Sequence, residues 1–311
     1  MANTFLSYSH AQADWVHESL APVLRASGVS IAIDIDRFRA GELLPAQMRK
    51  EIAEASTVVL VLTEEYLQST NCQFEMRGAL NRRHEDSTLQ VIGVLRGDCE
   101  IPPPFSGFES ELYVDLRDDT DDSQWIRLIQ GCKGSLKCSP SNWLRAVHDT
   151  RRFLTRRESV NLIAAPSVRS KPLVESIRSN LQPGIPFGVV DLESPEAATQ
   201  QGLVRMMWRA AFGSELPLQR HRHDALIALQ RAVRQRDGTY IALTHFDRVQ
   251  QRQKEYDPDL WSGLRFLVVE DQQHPLVLLV VSQVGFAQLL PQGSALLHFD
   301  SLAMFQTVRL Q

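Results

Sequence analysis

Short apolar runs alternate with helically spaced apolar positions along the first part of the chain. Thr4–Tyr8 (TFLSY) predicts a strand, and Trp15, Val16, Leu20, Val23 and Leu24 mark one face of a helix over 13–26 that Gly28 stops. Val29–Ile33 (VSIAI) predicts the second strand, and Met48–Ala55 a helix. Thr57–Leu62 (TVVLVL) is apolar almost throughout, as expected of a central strand covered on both faces. A helix over Gln73–Arg83, a strand at Leu89–Leu95, an edge strand at Glu111–Asp115 and a helix over Ser123–Gln130 follow. Strand–helix alternation of this length implies a parallel sheet with helices on both faces, where ligands sit at the carboxyl ends of the strands.

The rhythm pauses at Gly131–Asn142 (GCKGSLKCSPSN), which reads as a boundary, and a helix over Trp143–Arg157 leads into a second unit. There, Val160–Ala165, Phe187–Leu192, Tyr240–Phe246, Leu264–Val269 and Leu276–Val281 read as strands. Helical patterns fall at Pro172–Leu181, Pro195–Phe212 and His223–Arg236. The expected fold class is α/β, with domains at 1–135 and 158–311 and a linker or helix over 136–157.

Composition narrows the function. Of 311 residues, 43% are hydrophobic and 23% charged, which excludes fibrous and low-complexity classes. A net charge of −4 argues against a protein that coats nucleic acid. Four cysteines without a CxxC pair describe neither a disulfide scaffold nor a zinc site, and they fit a reducing cytosol. The N-terminus shows no signal-peptide pattern, and the longest apolar run, Pro275–Val281, is too short to span a bilayer. A cytoplasmic location is expected. Five histidines (His221, His223, His245, His274, His298) have no Cys or acid cluster at ligand spacing, so no metal is expected. Arg220, Arg222, Arg231, Arg234 and Arg236 read as a solvated helix face or as a surface for nucleic acid or an acidic partner.

Glu75 follows the central strand within a helix beginning near Asn71. On position alone it is a solvated helix glutamate or a carboxylate at the strand-end rim. A rim carboxylate can hydrogen-bond sugar hydroxyls and stabilise positive charge on an anomeric carbon.

Several segments resemble the TIR domain family in order and spacing: Phe5-Leu6-Ser7-Tyr8-Ser9, Asp14-Trp15-Val16, Asp34 through Gly41 (DIDRFRAG), Ser56 through Tyr66 (STVVLVLTEEY) and Ser69 through Glu75 (STNCQFE). The resemblance implies a flavodoxin-like parallel sheet. Many TIR domains cleave NAD+ at the nicotinamide–ribose bond, which makes Glu75 the expected catalytic residue and NAD+ a substrate, with no cofactor needed. Ser9, His10, Asp34, Arg37, Phe38, Arg39 and Asn71 occupy positions that the resemblance places around the dinucleotide. His10 reads equally well as a plain helix-start residue, and Asp14 as a structural one. Asn71 departs from the family, which has tryptophan there. The resemblance also implies self-association through the TIR domain, an effector role in immune-type defence, and a linear or cyclic ADP-ribose product. The rival expectation is a non-enzymatic TIR adaptor.

The second unit resembles a P-loop ATPase of AAA or STAND type that has lost its active site. Val160–Ile177 has the strand–loop–lysine–helix layout. With Lys171 as the lysine, Ala165 and Ser170 replace the two glycines and Pro172 the Ser/Thr that would hold magnesium. Thr244 and His245 stand where that family carries acids. The expectation is no ATP hydrolysis and a role in docking a protein partner.

Overall fold

The computed structural model describes residues 3–33, 50, 52–105, 113–179, 181, 184–217, 222–236, 238–252, 255–256, 258–270, 276–289 and 305–310. The chain forms two compact units, Met1–Leu144 and Arg145–Gln311.

In the first unit, β1 (Asn3–Ser7), β2 (Ser30–Ile33), β3 (Thr57–Leu62), β4 (Gln90–Leu95) and β5 (Tyr113–Asp115) form one sheet in the order β2-β1-β3-β4-β5, with every pairing parallel. This is the flavodoxin-like order, whose direction reverses between β1 and β3. All six residues of β3 are buried, as its unbroken apolar run requires. The helix α1 spans residues 13–26, and its Val16–Leu20 turn is π-helical just ahead of Pro22, which brings no N–H to the ladder. Gly28, at φ 86°, closes it.

Two helices follow β3. Thr63 caps α2 (Glu64–Gln68) by accepting from Tyr66 N at 3.2 Å, and Ser69 caps α3 (Thr70–Glu85) by accepting from Cys72 N at 3.4 Å. At the far end of α3, Arg82 donates to the carbonyls of Ile52 and Ala55. After β5 come α4 (Asp122–Gly131) and α5 (Pro140–Thr155), which starts inside the segment expected to be a boundary. Asp122 explains that early start: its carboxylate accepts from Ser139 Oγ and from Ser141 N, the latter at 2.8 Å.

The second unit has a second all-parallel sheet of β6 (Val160–Ala164), β7 (Phe187–Asp191), β8 (Thr239–Thr244), β9 (Leu276–Ser282) and β10 (Gln306–Leu310) in the order β10-β6-β9-β8-β7. Its helices include α6 (Ser170–Arg178), α7 (Gln200–Phe212), α8 (Arg222–Arg234) and α9 (Pro258–Arg265). One expected strand is helical: Leu264–Val269 falls in α9 and in the π-helical turn Phe266–Glu270 that continues it. Leu260, Trp261, Leu264, Leu267 and Val268 are buried at helical spacing, a period that the short apolar run concealed. The edge strand β10 was not expected. Its signal is a plain alternation, with Val308 and Leu310 buried between exposed Thr307 and Arg309.

Gly202 enters α7 where a Cβ would stand 1.8 Å from the Glu196 carbonyl oxygen. Gly202→Ala is therefore expected to destabilise the second unit by about 2–3 kcal/mol, measured as a lower urea midpoint of its unfolding transition.

Candidate active site

The first turns of α3 bring Glu75 against the carboxyl end of β1. Ser7, the last residue of β1, donates its hydroxyl hydrogen bond to Glu75 Oε2. Ser7 Oγ also lies 2.8 Å from the Tyr66 hydroxyl, and Tyr66 donates to the Cys72 carbonyl at 3.2 Å. Cys72, one turn before Glu75, contacts the Tyr8 carbonyl through its sulfur at 3.7 Å. A strand end and a helix start are thereby joined by polar side chains under the β1/β3 switch point, the place where doubly wound sheets bind ligands.

Glu75 is only 3% exposed. A buried carboxylate needs hydrogen-bond donors, and Ser7 supplies one. Burial pushes the Tyr66 phenol well above its ordinary value, and the neighbouring Glu75 adds to the rise. Ser9 is 7% exposed, and its hydroxyl has no hydrogen-bond partner among the described residues. Such an orphaned group is a natural contact for a ligand. His10 and Asn71 are exposed at the starts of a 3-10 turn and of α3. Asp34, Arg37, Phe38 and Arg39 lie outside the described residues.

The structure thus joins Glu75 to the segment carrying Ser9 and adds two residues that the sequence reading did not single out, Ser7 and Tyr66. Both sit inside the segments that suggested the family, but nothing in their spacing showed that they would meet around one carboxylate. A cleft of about 340 Å³ lies on another side of α3, lined by Leu67, Gln73, Met76, Arg77 and the 100–103 turn; Glu75 does not line it.

The strand order and this strand-end carboxylate agree with a match of residues 4–129 to the sequence model of the TIR domain. The first unit is a TIR domain. Among solved structures, the chain is similar to the TIR domain of the Toll-related receptor TRR-2 from Hydra magnipapillata (18% identity, TM-score 0.37, covering 42% of this chain and 98% of that one). It is also similar to Cdc6p from Pyrobaculum aerophilum (13% identity, TM-score 0.37, 52% of this chain and 42% of that one) and to NtrX from Brucella abortus (10% identity, TM-score 0.35, 100% and 68%). At these TM-scores the likenesses add no argument to the strand order and the family match. No curated protein sequence matches the chain.

Ala165 ends β6, and Ser170, Lys171 and Pro172 open α6. Arg169, at the N-cap, supplies no side-chain acceptor, and Pro172 has no N–H to offer a phosphate. His245 follows β8 at φ 52°. Asp247 accepts from Gln283 N at 2.9 and 3.0 Å and so fastens the ends of β8 and β9 together. Among the described residues, no cluster of three or more His, Cys, Asp or Glu could hold a metal, and no helix is long and apolar enough to cross a membrane.

Tyr66 has a raised pKa in the folded state, so its contribution to stability is complete below about pH 10 and is lost as the pH rises beyond that. Tyr66→Phe is expected to cost about 1–2 kcal/mol at neutral pH, by removing a buried hydrogen bond. The same variant is expected to lose less stability than the wild type between pH 9 and pH 11, measured by urea unfolding across that range.

Proposed function

We propose that the TIR domain is an NAD+ glycohydrolase with Glu75 as its catalytic residue. The observation that carries this reading is a carboxylate held by a strand-end hydroxyl beside the switch point of the sheet, close in sequence to the unpartnered Ser9 hydroxyl. Heterolysis of the bond between the ribose anomeric carbon and the nicotinamide nitrogen sends the electron pair to the ring, which becomes neutral. The ribose is left with oxocarbenium character. Glu75 stabilises that charge and accepts from the ribose hydroxyls, while Ser7 fixes the carboxylate's direction. Water then attacks the anomeric carbon and yields ADP-ribose; attack by a nitrogen of the same molecule yields a cyclic isomer. Ser9 and His10 contribute to dinucleotide binding, together with Asp34, Arg37, Phe38, Arg39 and Asn71.

In this reading, packing of neighbouring TIR domains completes the site, and the second unit, without ATPase activity of its own, docks a protein partner or drives assembly. The setting is an immune-type effector inside the cell. A second reading, a non-enzymatic TIR adaptor, is favoured by exposed Asn71 in place of the family's tryptophan and by Glu75 being already engaged by Ser7.

The full chain, incubated with NAD+ at high protein concentration or with a crowding agent, is expected to release nicotinamide. Glu75→Gln is expected to lower the rate by about 100-fold or more, the scale of losing one electrostatic stabiliser, and Ser9→Ala to raise KM several-fold. No release by the wild type under any assembled condition favours the adaptor.

A further inference from the structure

We propose that the second unit carries a serine nucleophile of its own, Ser170, activated by His245 and Asp191, and that it hydrolyses carboxylic esters. The three side chains come from three different strand ends of one sheet. Asp191 is the last residue of β7, His245 directly follows β8, and Ser170 opens α6 after β6. Asp191 Oδ1 lies 2.7 Å from His245 Nδ1, and Ser170 Oγ lies 3.5 Å from His245 Nε2. Nucleophile, imidazole and orienting carboxylate thus line up through opposite ring nitrogens, the arrangement that activates a serine. Ser170 Oγ and His245 Nε2 stand at the long end of hydrogen-bond reach, and catalytic hydrogen bonds often tighten only in the Michaelis complex.

Three features support the assignment. His245 is held at φ 52°, a left-handed conformation uncommon outside glycine that recurs at functional sites. Its imidazole is one-third exposed and Asp191 about half exposed, so a substrate can reach them. Finally, α6 begins without a side-chain cap, which leaves the Lys171 amide, next after the serine, available to a developing oxyanion. The residues flanking Ser170 at two positions on either side are Val168 and Pro172 rather than glycines, so the serine rides on a helical first turn instead of a sharp elbow. Glu193 also faces His245, its Oε2 3.9 Å from Nε2, but Arg248 holds that carboxylate at 2.6 Å and keeps its pKa low.

In the first half-reaction, Ser170 Oγ bonds to the ester carbonyl carbon and its proton passes to His245 Nε2. Collapse breaks the carbon–alkoxy bond, and the departing alcohol takes that proton. In the second, water attacks the acyl carbon and gives a proton to Nε2; the carbon–Oγ bond breaks, and Oγ is reprotonated. The balance is ester plus water to acid plus alcohol, with no other reactant.

The full chain treated with a fluorophosphonate probe is expected to carry one adduct on Ser170, located by peptide mass spectrometry, and to hydrolyse p-nitrophenyl acetate. Ser170→Ala is expected to abolish both, and His245→Gln to slow labelling at least tenfold. Asp191 is a positioning residue, so Asp191→Asn is expected to lower kcat for the ester at least tenfold with KM unchanged. Unlabelled wild type, an adduct elsewhere, or equal labelling of His245→Gln overturns the proposal. These outcomes do not depend on the NAD+ reading, because Glu75→Gln leaves Ser170 untouched.

Discussion

A carboxylate taken out of water must be met by hydrogen-bond donors or it destabilises the fold that buries it. Glu75 is met by Ser7, whose Oγ lies 2.8 Å from the Tyr66 hydroxyl. That short chain of side chains ties the end of β1 to the start of α3, and Tyr66 ties α2 to α3 by donating to the Cys72 carbonyl. The site therefore depends on two stretches distant in sequence, the end of β1 and residues 66–75, staying together. β3, buried throughout, holds that end of β1 in the middle of the sheet by pairing with β1 on one side and β4 on the other.

The alternation of apolar runs made the first sheet legible, because parallel strands covered on both faces have no polar side to disguise them. Helix ends were less legible. The helix expected to begin near Asn71 begins at Thr70, with Ser69 as its cap, and runs on to Glu85, two residues past the apolar pattern that ends at Arg83. Glu75 was identifiable as a candidate, yet its burial was not, since a helical glutamate reads as solvated until the opposing strand end is known. Ser7 and Tyr66 belong to the same class: residue type and local motif were visible, and their convergence is a property of the tertiary fold.

The second unit shows the opposite pattern. Ala165, Ser170, Lys171 and Pro172 are legible as a passage from strand to helix and Thr244 and His245 as a strand end, but nothing in their spacing shows which side chains meet. The fold brings three of the strand-end residues together. Ser170 and His245 face each other across the strand ends, with Asp191 behind the imidazole. The strand expected at Leu264–Val269 is helical because its short apolar run carries an ambiguous period, whereas β10 follows a plain alternation over only five residues.

The most direct test of the central account is a crystal structure of the full chain with a non-cleavable NAD+ analogue. The account predicts the Glu75 carboxylate within hydrogen-bonding distance of the nicotinamide ribose hydroxyls, with Ser9 on the same ligand. An analogue bound elsewhere, with Glu75 out of its reach, would contradict it.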